Sequence, residues 1–178
     1  PDTPRLKIAF VTMSGLVAVE YDRSQGGDVV GPTVFGHNGG PDTLSVAAVP
    51  YDDATRVEPY SARGPVTHYF GPVKNGKVAP RLGAPDRIEA PQVAATDGYS
   101  TTFFGVGDGG AHRFYGTSAA APAASAVAAL VRSANPGLGP SRVRSVLQRT
   151  ATPIAGVPAA AVGSGLVDAY AAIGLVRR

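Results

Sequence analysis

Between Ser118 and Val131 the chain runs SAAAPAASAVAALV, a stretch without a single charge. Ala and Leu are strong helix formers. Pro122 falls in what would be the first turn, where a missing N–H leaves no intrahelical bond unmade. The composition predicts a helix from Ser118 to about Ser133, ended by Asn135-Pro136-Gly137. A helix with no polar face has to be covered by other elements. That requirement constrains the fold more than any other feature of the chain.

The segments available to cover it are short. Leu44 to Val49 (LSVAAV) is a nearly continuous apolar run of small residues, the pattern of a strand buried on both faces in a parallel sheet. Arg87–Ala90, Val93–Ala95 and Thr101–Phe104 read as further strand pieces. Pro140 opens a second helix with Val143, Val146 and Leu147 on one stripe, and Leu166–Val176 reads as a third. Near the start, Leu6–Thr12 and Leu16–Tyr21 flank Met13-Ser14-Gly15 and predict an antiparallel hairpin. Pro and Gly crowd residues 71–86, which predicts a long irregular excursion. Gly105–Gly110 reads as a loop. No clear helix is visible before residue 110, although a parallel sheet needs crossover connections, usually helical. The pattern is that of a piece of an α/β domain. Coverage for the second face of the sheet is not evident, so the isolated chain is expected to expose apolar surface. The opening Pro-Asp-Thr-Pro reads like the middle of a longer polypeptide.

Several function classes are excluded by composition. Cysteine is absent from all 178 residues, so a thiol nucleophile, disulfides and Cys-ligated metal are ruled out. No apolar run is long enough to span a bilayer, and no membrane partner is expected. Residues 1–110 carry a net charge of −3 and residues 111–178 one of +6. Arg142, Arg144 and Arg149 fall on the solvent side of one short helix, without the interleaved aromatics of a nucleic-acid face. No nucleic-acid partner is expected.

The chemistry concentrates at Gly116-Thr117-Ser118-Ala119-Ala120-Ala121-Pro122. A serine nucleophile needs an exposed hydroxyl, and a helix N-terminus beside it stabilises negative charge on a tetrahedral intermediate. Ser118 has a turn-forming Gly two residues before it and small Ala residues after it. On general grounds a Ser ahead of a helix is only an N-cap. This context is more specific. Gly-Thr-Ser-x-Ala-x-Pro is similar to the nucleophile motif of the subtilases, the subtilisin-like serine peptidases. Four more segments resemble that family in order: Leu44–Val49, Tyr60-Ser61-Ala62-Arg63-Gly64-Pro65, Pro85-Asp86 with Ala90-Pro91, and Gly163-Ser164-Gly165-Leu166-Val167-Asp168-Ala169.

The resemblance implies an α/β fold, part of a subtilisin-like parallel-sheet three-layer domain with a short antiparallel hairpin at the N-terminus. Residues 31–178 would be the C-terminal part of the catalytic domain, and residues 1–30 the end of an antiparallel β insertion. It implies a serine endopeptidase working through an acyl-enzyme on Ser118, with a polypeptide substrate, no cofactor or metal, and an extracellular, secreted location. The alternative is a non-catalytic subtilase remnant acting as a binding or scaffold module. An esterase reading lacks the Gly-x-Ser-x-Gly elbow.

Departures from the family matter as much. Its Asp motif, Asp-Ser/Thr-Gly, and its His motif, His-Gly-Thr, do not occur: Asp42-Thr43 is followed by Leu44, His37 by Asn38, His68 by Tyr69 and His112 by Arg113. The missing N-terminal half of the domain, as a second chain or omitted sequence, becomes the expected partner. Asn38 reads as a turn residue rather than the oxyanion donor. His112 reads as a solvent-exposed loop residue rather than the base. Asp108 reads as turn chemistry rather than a calcium ligand.

Overall fold

A computed structural model of the chain describes residues 32–102 and 106–177. The hairpin expected over Leu6–Tyr21 lies outside these residues, as do Phe103 and Phe104. Among the described residues no helix is long and apolar enough to cross a membrane.

The centre is a small parallel sheet. Strand β1 (Val46–Pro50) pairs in parallel with β4 (Val93–Asp97), Ala48 opposite Ala95. On the far edge of β4, Ala94 N–H donates to Gly165 C=O at 2.8 Å and Val167 N–H to Ala94 C=O at 2.9 Å, so the 165–167 segment adds a third short parallel piece. Leu166 therefore extends the sheet instead of starting the helix expected there. The helix begins only at Ala169, as α4 (Ala169–Val176), behind an Asp168 cap whose side chain accepts from Ala171 N–H. Gly165 is required at φ +119, because a Cβ there would lie 2.1 Å from the Thr152 carbonyl oxygen.

Side chains alternate across the sheet. Ala48, Ala95 and Val93 face α1 (Thr117–Ala134), α2 (Pro140–Thr150) and α4, packing with Ala120, Ala124, Val131, Val143, Leu147 and Ala172. Ala47, Val49 and Ala94 face the other way, onto Ile154, Ala161 and Val162. The last two belong to α3 (Ala159–Val162), a single turn too short to show a sequence period. The second face of the sheet is thus covered within this chain, contrary to expectation, giving a three-layer α/β arrangement.

Two antiparallel units project from this core. Strand β2 (Val66–Phe70) pairs with β3 (Arg81–Ile88) across the segment expected to be irregular. Asn75 and Gly76 both take positive φ between Lys74 and Lys77, the combination that a tight hairpin turn needs. Pro85 is tolerated within β3 because that strand pairs on one edge only, which leaves N–H positions that need no partner. The other unit orders β5 (Tyr99–Thr101), β7 (Ala111–Phe114) and β6 (Val106–Asp108), so the expected Gly/Asp loop is a hairpin turning at Gly109-Gly110. It connects the end of β4 to the start of α1.

Candidate active site

The carboxyl ends of parallel strands in open α/β sheets are where ligands bind. Here β4 ends at Asp97, β1 runs into Tyr51, and α1 begins beside them. Gly98 N–H donates to Phe114 C=O at 2.7 Å, returning the chain from β7 to the end of β4 and aiming it at the helix.

Gly116 is the N-cap of α1, with φ 104° and ψ 165°. This backbone region is open essentially only to glycine. Ser118 is the second residue of the helix and is exposed. The helix has no side-chain cap, so Ser118 is not the N-cap that a generic Ser before a helix would be. Ala119 and Ala120 N–H both donate to Gly116 C=O, at 2.8 and 3.2 Å. Gly116 N–H donates to Asp97 Oδ2 at 2.7 Å. Among the described residues, Thr117 and Ser118 N–H are left without an acceptor at the positive end of the helix dipole. An exposed hydroxyl next to its own unengaged N–H has the geometry for attack on a carbonyl whose oxygen becomes anionic.

The surroundings are rich in tyrosine. Tyr60 O–H donates to Asp97 Oδ2 in a short bond, and Tyr99 O–H donates to Ala119 C=O at 2.9 Å. Burial first, then the bond to Asp97 and its charge, push the Tyr60 phenol above its ordinary range. Tyr51 lies under the Arg113 guanidinium at 4.1 Å, and Arg113 donates to Gly98 C=O. Glu58 is pushed above the usual carboxylate range, by burial first and by the Asp97 charge second.

The histidines are dispersed. His37 sits exposed in a 3-10 turn, Gly36–Gly39, and His68 is half-buried on β2. His112 is exposed, but on strand β7 rather than a loop, because the 106–114 segment folds back on itself. Among the described residues no histidine is hydrogen-bonded to Ser118. Asn38 is an exposed residue of the 3-10 turn whose carbonyl accepts from Ser45 Oγ, the turn role its sequence context predicts. Asp108 ends β6 ahead of the Gly109-Gly110 turn. Among the described residues no group of three or more His, Asp or Glu is arranged to hold a metal.

Sequence reasoning passed over Asp97 and Tyr99, and took Tyr60 only as part of a family-like segment. Asp97-Gly98 carries a turn signature, and only its burial separates it from a solvated loop carboxylate.

The model of the subtilase family matches residues 19–169. The chain belongs to the subtilase family. One similar solved structure agrees on the fold of this member. Fervidolysin from Fervidobacterium pennivorans, described as a keratinolytic enzyme related to subtilisin, superposes with a TM-score of 0.52 at 24% identity. The match covers 78% of this chain and 20% of that one. MycP1 from Mycobacterium smegmatis matches at 23% identity and a TM-score of 0.49, over 75% of this chain and 30% of that one. The subtilase chain described here thus spans less than a third of either structure. No curated protein matches it.

Proposed function

We propose that this chain is the nucleophile-bearing part of a serine endopeptidase of the subtilase family, with Ser118 as nucleophile. The observation that carries the reading is the exposed Ser118 at the second position of α1, beside its own unengaged N–H and at the carboxyl ends of β1 and β4. Ser118 Oγ attacks the scissile carbonyl, and the carbonyl oxygen, now anionic, is held by the Ser118 N–H. Collapse expels the amine and leaves an acyl-enzyme, which water hydrolyses. A base must take the hydroxyl proton and pass it to the leaving amine. That His, and the Asp orienting it, come from outside residues 1–178 in this reading.

Residues 31–178 are then the C-terminal part of the catalytic domain, and residues 1–30 the end of a β insertion. The partner surfaces are a polypeptide substrate and the N-terminal half of the domain. The family resemblance supports an extracellular location. Ser118→Ala in the complete protein is expected to abolish peptide hydrolysis and leave the far-UV circular dichroism unchanged. Retained turnover would remove Ser118 from the mechanism. The second reading, a non-catalytic binding module, is favoured by the lack of any histidine bonded to Ser118 among the described residues. Absence of turnover in the unmodified complete protein would establish it.

A further inference from the structure

The carboxylate of Asp97 is fully buried and lies at the N-terminus of α1. A buried carboxylate is costly unless hydrogen bonds and positive potential compensate it. Here both are present, and both involve the turn that leads to Ser118. Oδ2 accepts from Gly116 N–H at 2.7 Å and from Tyr60 O–H. The helix dipole adds positive potential at the same place. Oδ1 is buried with no hydrogen-bond partner. The whole anchoring therefore runs through one oxygen, and that oxygen faces Gly116.

Gly116 needs an anchor. Its φ of 104° with ψ of 165° lies in a region that glycine reaches freely among many others, so its hydrogen bonds decide which conformation the peptide holds. The Gly116 carbonyl is fixed by Ala119 and Ala120 N–H, and the first helical turn is held from the other side by Tyr99 on the Ala119 carbonyl. Asp97 holds the remaining free group of Gly116, its N–H. Two residues further on, the direction of the Ser118 hydroxyl and N–H follows from where that peptide sits.

We propose that Asp97 is a positioning residue for Ser118: its buried carboxylate, itself steadied by Tyr60, pins the Gly116 N–H and so sets the aim of the nucleophile. This rests on the reading of Ser118 as nucleophile. On this proposal Asp97 acts through Gly116 and not on the substrate. Its contribution is geometric, and a misplacement of the order of 1 Å at a reacting group costs on the order of a hundredfold in rate.

The test compares wild type, Asp97→Asn, Asp97→Ala and Tyr60→Phe in the complete protein. The readouts are kcat per active site, KM for one peptide substrate, and the proton shift of the Gly116 amide. Sites are titrated with a fluorophosphonate, so molecules that fail to fold are not counted. The Asn side chain keeps a neutral acceptor for Gly116, whereas Ala keeps none. Expected are a fall in kcat of about a hundredfold for Asp97→Ala and about tenfold for Asp97→Asn, with KM within about twofold of wild type. The Gly116 amide proton should move upfield as the charge-assisted bond is lost. Should Asp97→Ala not fold, Asp97→Asn and Tyr60→Phe, with a smaller fall in kcat, carry the same comparison. A kcat per titrated site equal to wild type in Asp97→Asn, with only the melting temperature lowered, overturns the proposal. A wild type that the fluorophosphonate does not label at Ser118 overturns the nucleophile reading itself, and the proposal with it.

Discussion

At Gly116 the backbone conformation sets the requirement, not the space around it. A Cβ built there meets nothing nearer than the Ser118 nitrogen at 3.7 Å, so a side chain would fit. The φ of 104° would not suit it. Gly116→Ala is therefore expected to cost about 1–3 kcal/mol through backbone strain alone, read from urea unfolding. It should also slow acylation of Ser118, because relief of the strain rotates the peptide that Asp97 holds. An Ala variant with unchanged stability and rate would show that the turn is not strained. Glu58 gives a pH signature at the same scale. Its carboxyl faces Asp97, Tyr60 and Arg56, and is raised above its ordinary 4.5. The folded state then binds the proton more tightly than the unfolded chain. This stabilising contribution is complete below pH 4.5 and is lost as pH rises through the folded value. Glu58→Gln should remove that part of the downward slope in a plot of unfolding free energy against pH. An unchanged slope would contradict it.

Among the elements, α1 differs most from its sequence pattern. Its charge-free run from Ser118 to Val131 calls for cover on every side, and the described residues supply cover on one. Ala119, Ala120, Ala124 and Val131 are buried, whereas Ala121, Pro122, Ala126 and Ala129 are exposed and Leu130 is 49% exposed. Leu147 on α2 is the largest fully buried side chain among the described residues, at 1% exposure. Leu147→Ala should destabilise by about 2–5 kcal/mol, and Leu130→Ala by no more than about 0.5 kcal/mol, in urea unfolding. Comparable losses would mean that the outer face of α1 is covered. The helices with strong local signals were legible: α1, and α2 with its Val143, Val146 and Leu147 stripe. So was β1, where a nearly continuous apolar run reports burial on both faces, and in part β4, which reads as a short strand piece over Val93–Ala95. The β2–β3 hairpin was not, because Pro and Gly read as breakers unless the strand is known to be an edge. Leu166-Val167 was misread as helix because an apolar pair has no period, and pairing with Ala94 decides its state. The motif singles out Ser118 as a candidate nucleophile, whereas nothing in the sequence singles out Asp97, since burial is a property of the fold.

For the whole molecule, the outer face of α1, with Leu130 and several alanines, is left uncovered among the described residues. On the proposed reading that face meets the N-terminal half of the catalytic domain. Residues 1–178 expressed alone should bind ANS and elute as associated species in size-exclusion chromatography, since exposed apolar patches of more than a few hundred Å² mark interfaces or aggregation sites. A monodisperse monomer with a cooperative melt and no dye binding would favour an independent binding module. The central claim, that Ser118 is a nucleophile completed from outside this chain, is tested most directly by fluorophosphonate labelling followed by peptide mapping. The complete protein should label stoichiometrically at Ser118, and residues 1–178 alone should not label at a useful rate, for want of a base. Labelling of the complete protein at another residue would contradict the account, and so would stoichiometric labelling of Ser118 in the isolated chain.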